Sequence, residues 1–166
     1  MATCSLVGQA DYNAFYRSMN PAPDSLADHE KIEILEEWLT EVERQDDPVR
    51  IIHGNMYLAN SYYRMSDFET SMRYLIAAEG LAEETENILL LGRIWHKIGA
   101  IQIFLENHDE AITSYRTASD FHLAARDSQY MGITYEQLGT DGGTIAKELI
   151  NSWLGKVCWV VCQKGL

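Results

Sequence analysis

Apolar residues recur at three- and four-residue intervals along most of the chain. Ile32, Leu35, Trp38, Leu39 and Val42 form one such stripe, and Glu33, Glu36, Glu37, Glu41 and Glu43 take the opposite side. That spacing predicts an amphipathic helix, capped by Asp24 or Ser25 and running to about Arg44. A shorter helix over about 11–19 precedes it, with Tyr12, Phe15, Tyr16 and Met19 apolar, and Pro21-Ala22-Pro23 stops it. After the turn Gln45-Asp46-Asp47-Pro48, the pattern predicts helices over about 49–65, 68–82, 87–105 and 109–124. Asp127 is expected to cap one more, ending near Leu138. Asp141-Gly142-Gly143 make a turn, and a last helix is expected over about 144–163. Its apolar residues, from Ile145 to Val161, spread over more than one side. Such a helix either packs deeply against its neighbours or exposes a patch for a partner or a second copy.

The helices carry an internal repeat. Leu58-Ala59, Tyr62, Ser71, Leu75 and Ala78 in one stretch return as Ile98-Gly99, Gln102, Ala111, Tyr115 and Ala118 in the next. Met131-Gly132 and Tyr135 start a partial third copy, closed by Leu138-Gly139. Small residues in the first helix of each copy (Ala59, Gly99, Gly132) are expected to let a second helix approach, with Ser71 or Ala111 opposite. Ala59 to Gly99 spans 40 residues but Gly99 to Gly132 only 33, and the extra residues are placed around Glu83-Glu84-Thr85-Glu86.

This pattern, over Arg50 to Gly139, resembles the tetratricopeptide repeat, a helix-turn-helix unit that stacks because one copy cannot bury its apolar faces alone. The resemblance implies an all-α array of helical hairpins, an alpha-alpha superhelix. Residues 1–48 would form an N-terminal cap or degenerate repeat, 49–139 the repeats, and 140–166 an apolar C-terminal capping helix.

Composition narrows the function classes. The 166 residues suffice for one domain with a sizeable core. A formal charge of -12 argues against nucleic acid or an anionic membrane as partner. The N-terminus lacks a secretory pattern, and the densest apolar run, Val157 to Cys162, is far short of the ~20 residues a bilayer requires. Cytoplasmic residence is the expectation. Cys4, Cys158 and Cys162 are an odd set without a disulfide framework and read as small apolar residues. No phosphate-binding loop, metal-ligand spacing or nucleophile elbow is present, so no catalytic residue, metal or cofactor is expected.

The resemblance implies instead a non-catalytic protein–protein interaction module, an adaptor or scaffold that binds a peptide along the groove lined by its first helices. Carried onto this chain, the groove residues are Asn60, Tyr63 and Arg64 in the first copy, with His53 and Met56 beside them. The second copy contributes Arg93, His96, Lys97 and Ile103, with Ala100 and Phe104, and the third Arg126, with Gln129 and Ile133. Arg64, Arg93, Lys97 and Arg126 are four of only 13 basic residues. Their convergence would suit an acidic or carboxylate-ended segment; the alternative is that they are solvated surface charges. Against the carboxylate-clamp branch of the family, Asn60 matches and Arg126 sits at one of its third-repeat basic positions, but Met56, Lys97 and Tyr130 depart from the expected pattern. Two further readings stay open, a chaperone-like protein shielding an apolar partner segment and a peptide-sensing domain of a larger regulatory protein; separately, the C-terminal helix offers a route to a homo-oligomer.

Overall fold

The computed structural model describes residues 27–127, 130–134 and 137. Five helices follow one another: α1 (Asp28–Arg44), α2 (Pro48–Arg64), α3 (Phe68–Glu84), α4 (Ile88–Phe104) and α5 (His108–Ala125). Residues 130–134 and 137 are also helical, and no strand occurs among the described residues. The expected helix at 11–19, the caps at Asp24 or Ser25, and the segment 140–166 lie outside them.

The helices begin at 28, 48, 68, 88 and 108, twenty residues apart. The turns explain this regularity. Asp46, Ser66, Glu86, Glu106 and Arg126 each take a left-handed conformation, with φ between 51° and 62°. The next residue then does two things. Its N–H returns to a carbonyl five residues back, as in Asp67 to Tyr62 (3.0 Å), Asn87 to Ala82 (2.8 Å), Asn107 to Gln102 (2.9 Å) and Asp127 to His122 (2.9 Å). In most turns its side chain also accepts an N–H that the first turn of the following helix leaves unpaired, that of the residue three positions on. Asp47 accepts from Arg50 (3.2 Å), Asp67 from Thr70 (3.1 Å), Asn87 from Leu90 (3.2 Å) and Asp127 from Tyr130 (3.3 Å). At α1 the cap residue is Ala27, whose N–H donates to the Glu30 carboxylate at 2.9 Å.

Consecutive helices pack as pairs. Contact is closest within α4/α5 and α2/α3, α1 lies on α2, α3 lies on α4, and the first helices α2 and α4 also touch. The main core joins Ile52 and Met56 of α2 to Leu75, Ala78 and Ala82 of α3 and to Leu90, Ile94, Ile98 and Ile101 of α4. A second cluster, Ile32, Leu35, Leu39 and Leu58, seats α1.

Small residues mark the crossings, largely as the sequence predicts. The Ser71 hydroxyl donates to the Ala59 carbonyl at 2.7 Å, and Gly99 lies under Tyr115, whose ring a Cβ would meet at 3.0 Å. Gly132 is different. It is exposed, and among the described residues nothing lies within 4 Å of a built Cβ; the helix expected to cross it lies outside the described residues. With a forty-residue period, Gly132 falls in register with Gly92, and Leu138-Gly139 with Ile98-Gly99. The apparent spacing of 33 came from pairing Gly132 with Gly99. Nor is there an insertion near Glu83: α3 runs on to Glu84, and the turn there has the same length as the others.

Candidate functional site

Two cavities of about 150 Å³ each open between α2 and α4. The first is bounded by Ala59, Asn60 and Tyr63 of α2, Ser71 and Leu75 of α3, and His96, Lys97, Ala100 and Ile101 of α4. His53, Met56, Tyr57, Asn60, Arg93, Lys97 and Tyr130 line the second. Asn60 and Lys97 belong to both, so the cavities meet at that pair. The Lys97 ammonium approaches the Asn60 side-chain oxygen at 3.5 Å, and burial pushes its pKa below the usual lysine range. Among the described residues no carboxylate forms an ion pair with it.

The four cations expected to converge are distributed in three ways. Lys97 lies in the cavities. Arg93 lines the second cavity, but its guanidinium is engaged: Nη2 and Nε lie 3.2 and 3.4 Å from Asp127 Oδ2, and its centre is 4.6 Å from the Tyr130 ring centroid. This arrangement ties α4 to the turn after α5. Arg64 points toward α1, with Nε 3.3 Å from Asp28 Oδ1 and a side chain 58% exposed. Arg126 is the exposed left-handed residue that ends α5. Neither Arg64 nor Arg126 lines either cavity.

Three histidines lie in this layer of the molecule. His53 is held down to about 4 by burial, then by the Arg93 charge, with Asp47 opposing. His96 is also held to about 4, by burial, Lys97 and His122, and its Nδ1 is 2.9 Å from the Thr134 hydroxyl. His122 is fully buried against Gly92 and stacks on Tyr130 at 5.4 Å, and among the described residues neither ring nitrogen has a hydrogen-bond partner. Burial lowers its pKa, Asp127 opposes that, and Arg93 reinforces it. All three imidazoles are therefore neutral at pH 7.

The chain matches no protein-family model, no curated protein and no solved structure. Among the described residues, no three His, Cys, Asp or Glu side chains gather as metal ligands, and no helix is long and apolar enough to cross a membrane.

Of the apolar candidates, Tyr63 lines the first cavity, whereas Ile103 turns away and packs on Ala111 and Tyr115 of α5. Phe104 is 61% exposed, stacks on Phe68 at 5.6 Å and meets Tyr63 edge-on at 5.3 Å. These three rings form an open aromatic cluster where α2 ends, α3 starts and α4 ends. Sequence reasoning gave no cavity role to Ser71 and Leu75, which read as seam residues but also floor the first cavity. Tyr130 was missed as a wall of the second. The Asp127 cap, which fixes Tyr130 in the first turn of its helix, was the available signal.

Proposed function

We propose that the chain is a non-catalytic interaction module of the tetratricopeptide kind, whose α2 and α4 hold a segment of another protein. One observation carries this reading: two open cavities between the first helices of adjacent pairs meet at Asn60 and Lys97. The cavity floored by Leu75, Ala59 and Ile101 suits an apolar side chain. Beside it, an ammonium whose hydrogen-bond partner among the described residues is the neutral amide of Asn60 suits an acidic group, because a charge-assisted hydrogen bond would replace lost hydration. The forty-residue helix-pair period and the small-residue crossings support the family likeness.

A screen of displayed random peptides against the folded chain tests the proposal. Enriched peptides should place Asp, Glu or a free C-terminal carboxylate next to an apolar residue. They should bind the Lys97→Glu variant at least ~10-fold more weakly, as expected for losing a charged hydrogen bond. Enrichment of nothing, or equal binding to Lys97→Glu, would sink it.

The exposed Tyr63–Phe68–Phe104 cluster favours a second reading, shielding of an apolar partner segment in the manner of a chaperone. Peptides that depend on Phe104 and ignore Lys97 would favour it over the first.

A further inference from the structure

The second cavity has a composition unlike the rest of the chain. The sequence has 25 acidic and 13 basic residues, yet among the described residues the seven that line this cavity include Arg93 and Lys97 and no Asp or Glu. Its polar groups come from two helices and from the segment beyond α5: His53 and Asn60 from α2, Arg93 and Lys97 from α4, and Tyr130. Arg93 is set in place beforehand, gripped by Asp127 and laid over the Tyr130 ring. A guanidinium already ordered gives up little entropy when a ligand arrives. Asp127 offsets part of the Arg93 charge, and among the described residues no carboxylate pairs with Lys97.

We propose that this cavity binds a phosphoryl group. Such a group carries about -1.5 to -2 charges at pH 7 and three strong acceptor oxygens. A carboxylate brings one charge and two oxygens, and would leave part of this donor set unanswered. The volume also fits. A space of about 150 Å³ leaves ample room for a group of five heavy atoms such as phosphate. The phosphoryl group can arrive on a phosphorylated protein segment, a source that rests on the interaction reading above, or as free phosphate.

Binding has a spectroscopic signature. His53 faces Arg93 and Asp47, and His96 faces Lys97 and His122. An anion set among these groups answers the cations that help hold both imidazoles neutral, so it raises both pKa values. The test is a titration of the whole chain with inorganic phosphate, followed by the NMR signals of the histidine rings and the Asn60 side-chain amide, at constant ionic strength. Acetate is the control. Phosphate should give saturable shifts at His53 and Asn60 that acetate does not, and Lys97→Met should weaken them at least ~10-fold. Asn60→Asp, at an exposed position of α2, should do the same and covers the case in which Lys97→Met folds poorly. Phosphate also stabilises proteins generally by exclusion from their surfaces, but that effect would persist in both variants. The absence of saturation, equal shifts with acetate, or shifts that survive both substitutions would each overturn the proposal.

A pool of short random peptides with a central phosphoserine, set against the same pool with central glutamate, separates the sources. Preference for the phosphoserine pool over free phosphate places the group on a protein, and equal binding of the two identifies a free-anion site. If phosphate fails while glutamate peptides bind through Lys97, the phosphoryl assignment falls and the interaction reading stands. If phosphate binds and no peptide does, the reverse holds.

Discussion

Ile52 in α2 and Gly92 in α4 occupy the same seat, forty residues apart, and so do Ala82 in α3 and His122 in α5. In the first pair the large residue comes from the first helix, and Ile52 and Ala82 share the apolar core. In the second pair it comes from the second helix, and His122 fills the space over Gly92. A parallel exchange occurs one seat along, where Ala59 and Leu75 become Gly99 and Tyr115. Tyr62 and Tyr74 stack at 5.6 Å in α2/α3, whereas their counterparts Gln102 and Ser114 share a 2.6 Å hydrogen bond in α4/α5. The backbone frame is the same, but the second pair fills it with polar rings over glycine. Volume at a crossing can thus be supplied from either side, while its chemistry decides how the pair responds to solvent.

The sharpest way to break this difference is to convert one pair into the other. Gly92→Ile places a Cβ where the His122 ring already lies at 2.7 Å. It should destabilise the chain by about 3 kcal/mol, the upper range for overpacking. Adding His122→Ala should recover most of that loss, since the pair then has the Ile52–Ala82 arrangement and the two sites are coupled. Urea midpoints of the parent, the single and the double variant check this, and a double variant no better than the single one would show that the seats are not equivalent.

Acid should separate the pairs next. The folded pKa values of His53 and His96 lie at about 4, below the ordinary histidine value of 6.5. Their stabilisation is therefore complete above pH 6.5, because the unfolded chain then binds no extra proton, and it is lost as the pH falls toward 4. Each contributes up to about 3 kcal/mol. His122, also lowered, adds to the effect. Two of the three belong to α4/α5, so amide hydrogen exchange should show α5 losing protection before α3 between pH 6.5 and 4. Equal loss in both helices would remove the distinction.

Smaller effects sharpen it further. Ser114→Ala deletes the hydrogen bond to Gln102 at a buried site and should cost about 1 kcal/mol. Glycine away from a crossing should behave in the opposite sense. Gly80 lies in α3, exposed, with nothing within 4 Å of a built Cβ. Gly80→Ala should stabilise by about 0.5–1 kcal/mol through the unfolded chain and the helix itself, read as a rise in melting temperature.

Much of the helical array was legible because its signals are local. The stripe from Ile32 to Val42 and the small residues Ala59 and Gly99 lie where the pattern places them. The period was harder to read, since Gly132 looks like Gly99 when glycine alone is matched. The ladder Asp47, Asp67, Asn87, Asn107 and Asp127 would have given twenty directly. The candidate site was only partly readable. Asn60, Tyr63, His96 and Lys97 do come together around the first cavity, and Arg93 joins Asn60 and Lys97 in the second. The pairing of Arg93 with Asp127 and of Arg64 with Asp28 depends on partners more than thirty positions away in sequence. No spacing rule reaches such pairs, because the fold itself brings them together. The shared wall of Tyr130 is hidden for the same reason.

The Asp and Asn residues of the turns have one more consequence. At Asp67, Asn87 and Asp127 the backbone N–H finishes one helix while the side chain starts the next. A helix end that frays there therefore unties the beginning of its neighbour. Unfolding is communicated along the chain through single residues, in addition to the communication across packed faces. The array then resembles a line of linked spans in which a failure at one joint loads the adjoining span, and its cooperativity is written into positions with almost no core contact.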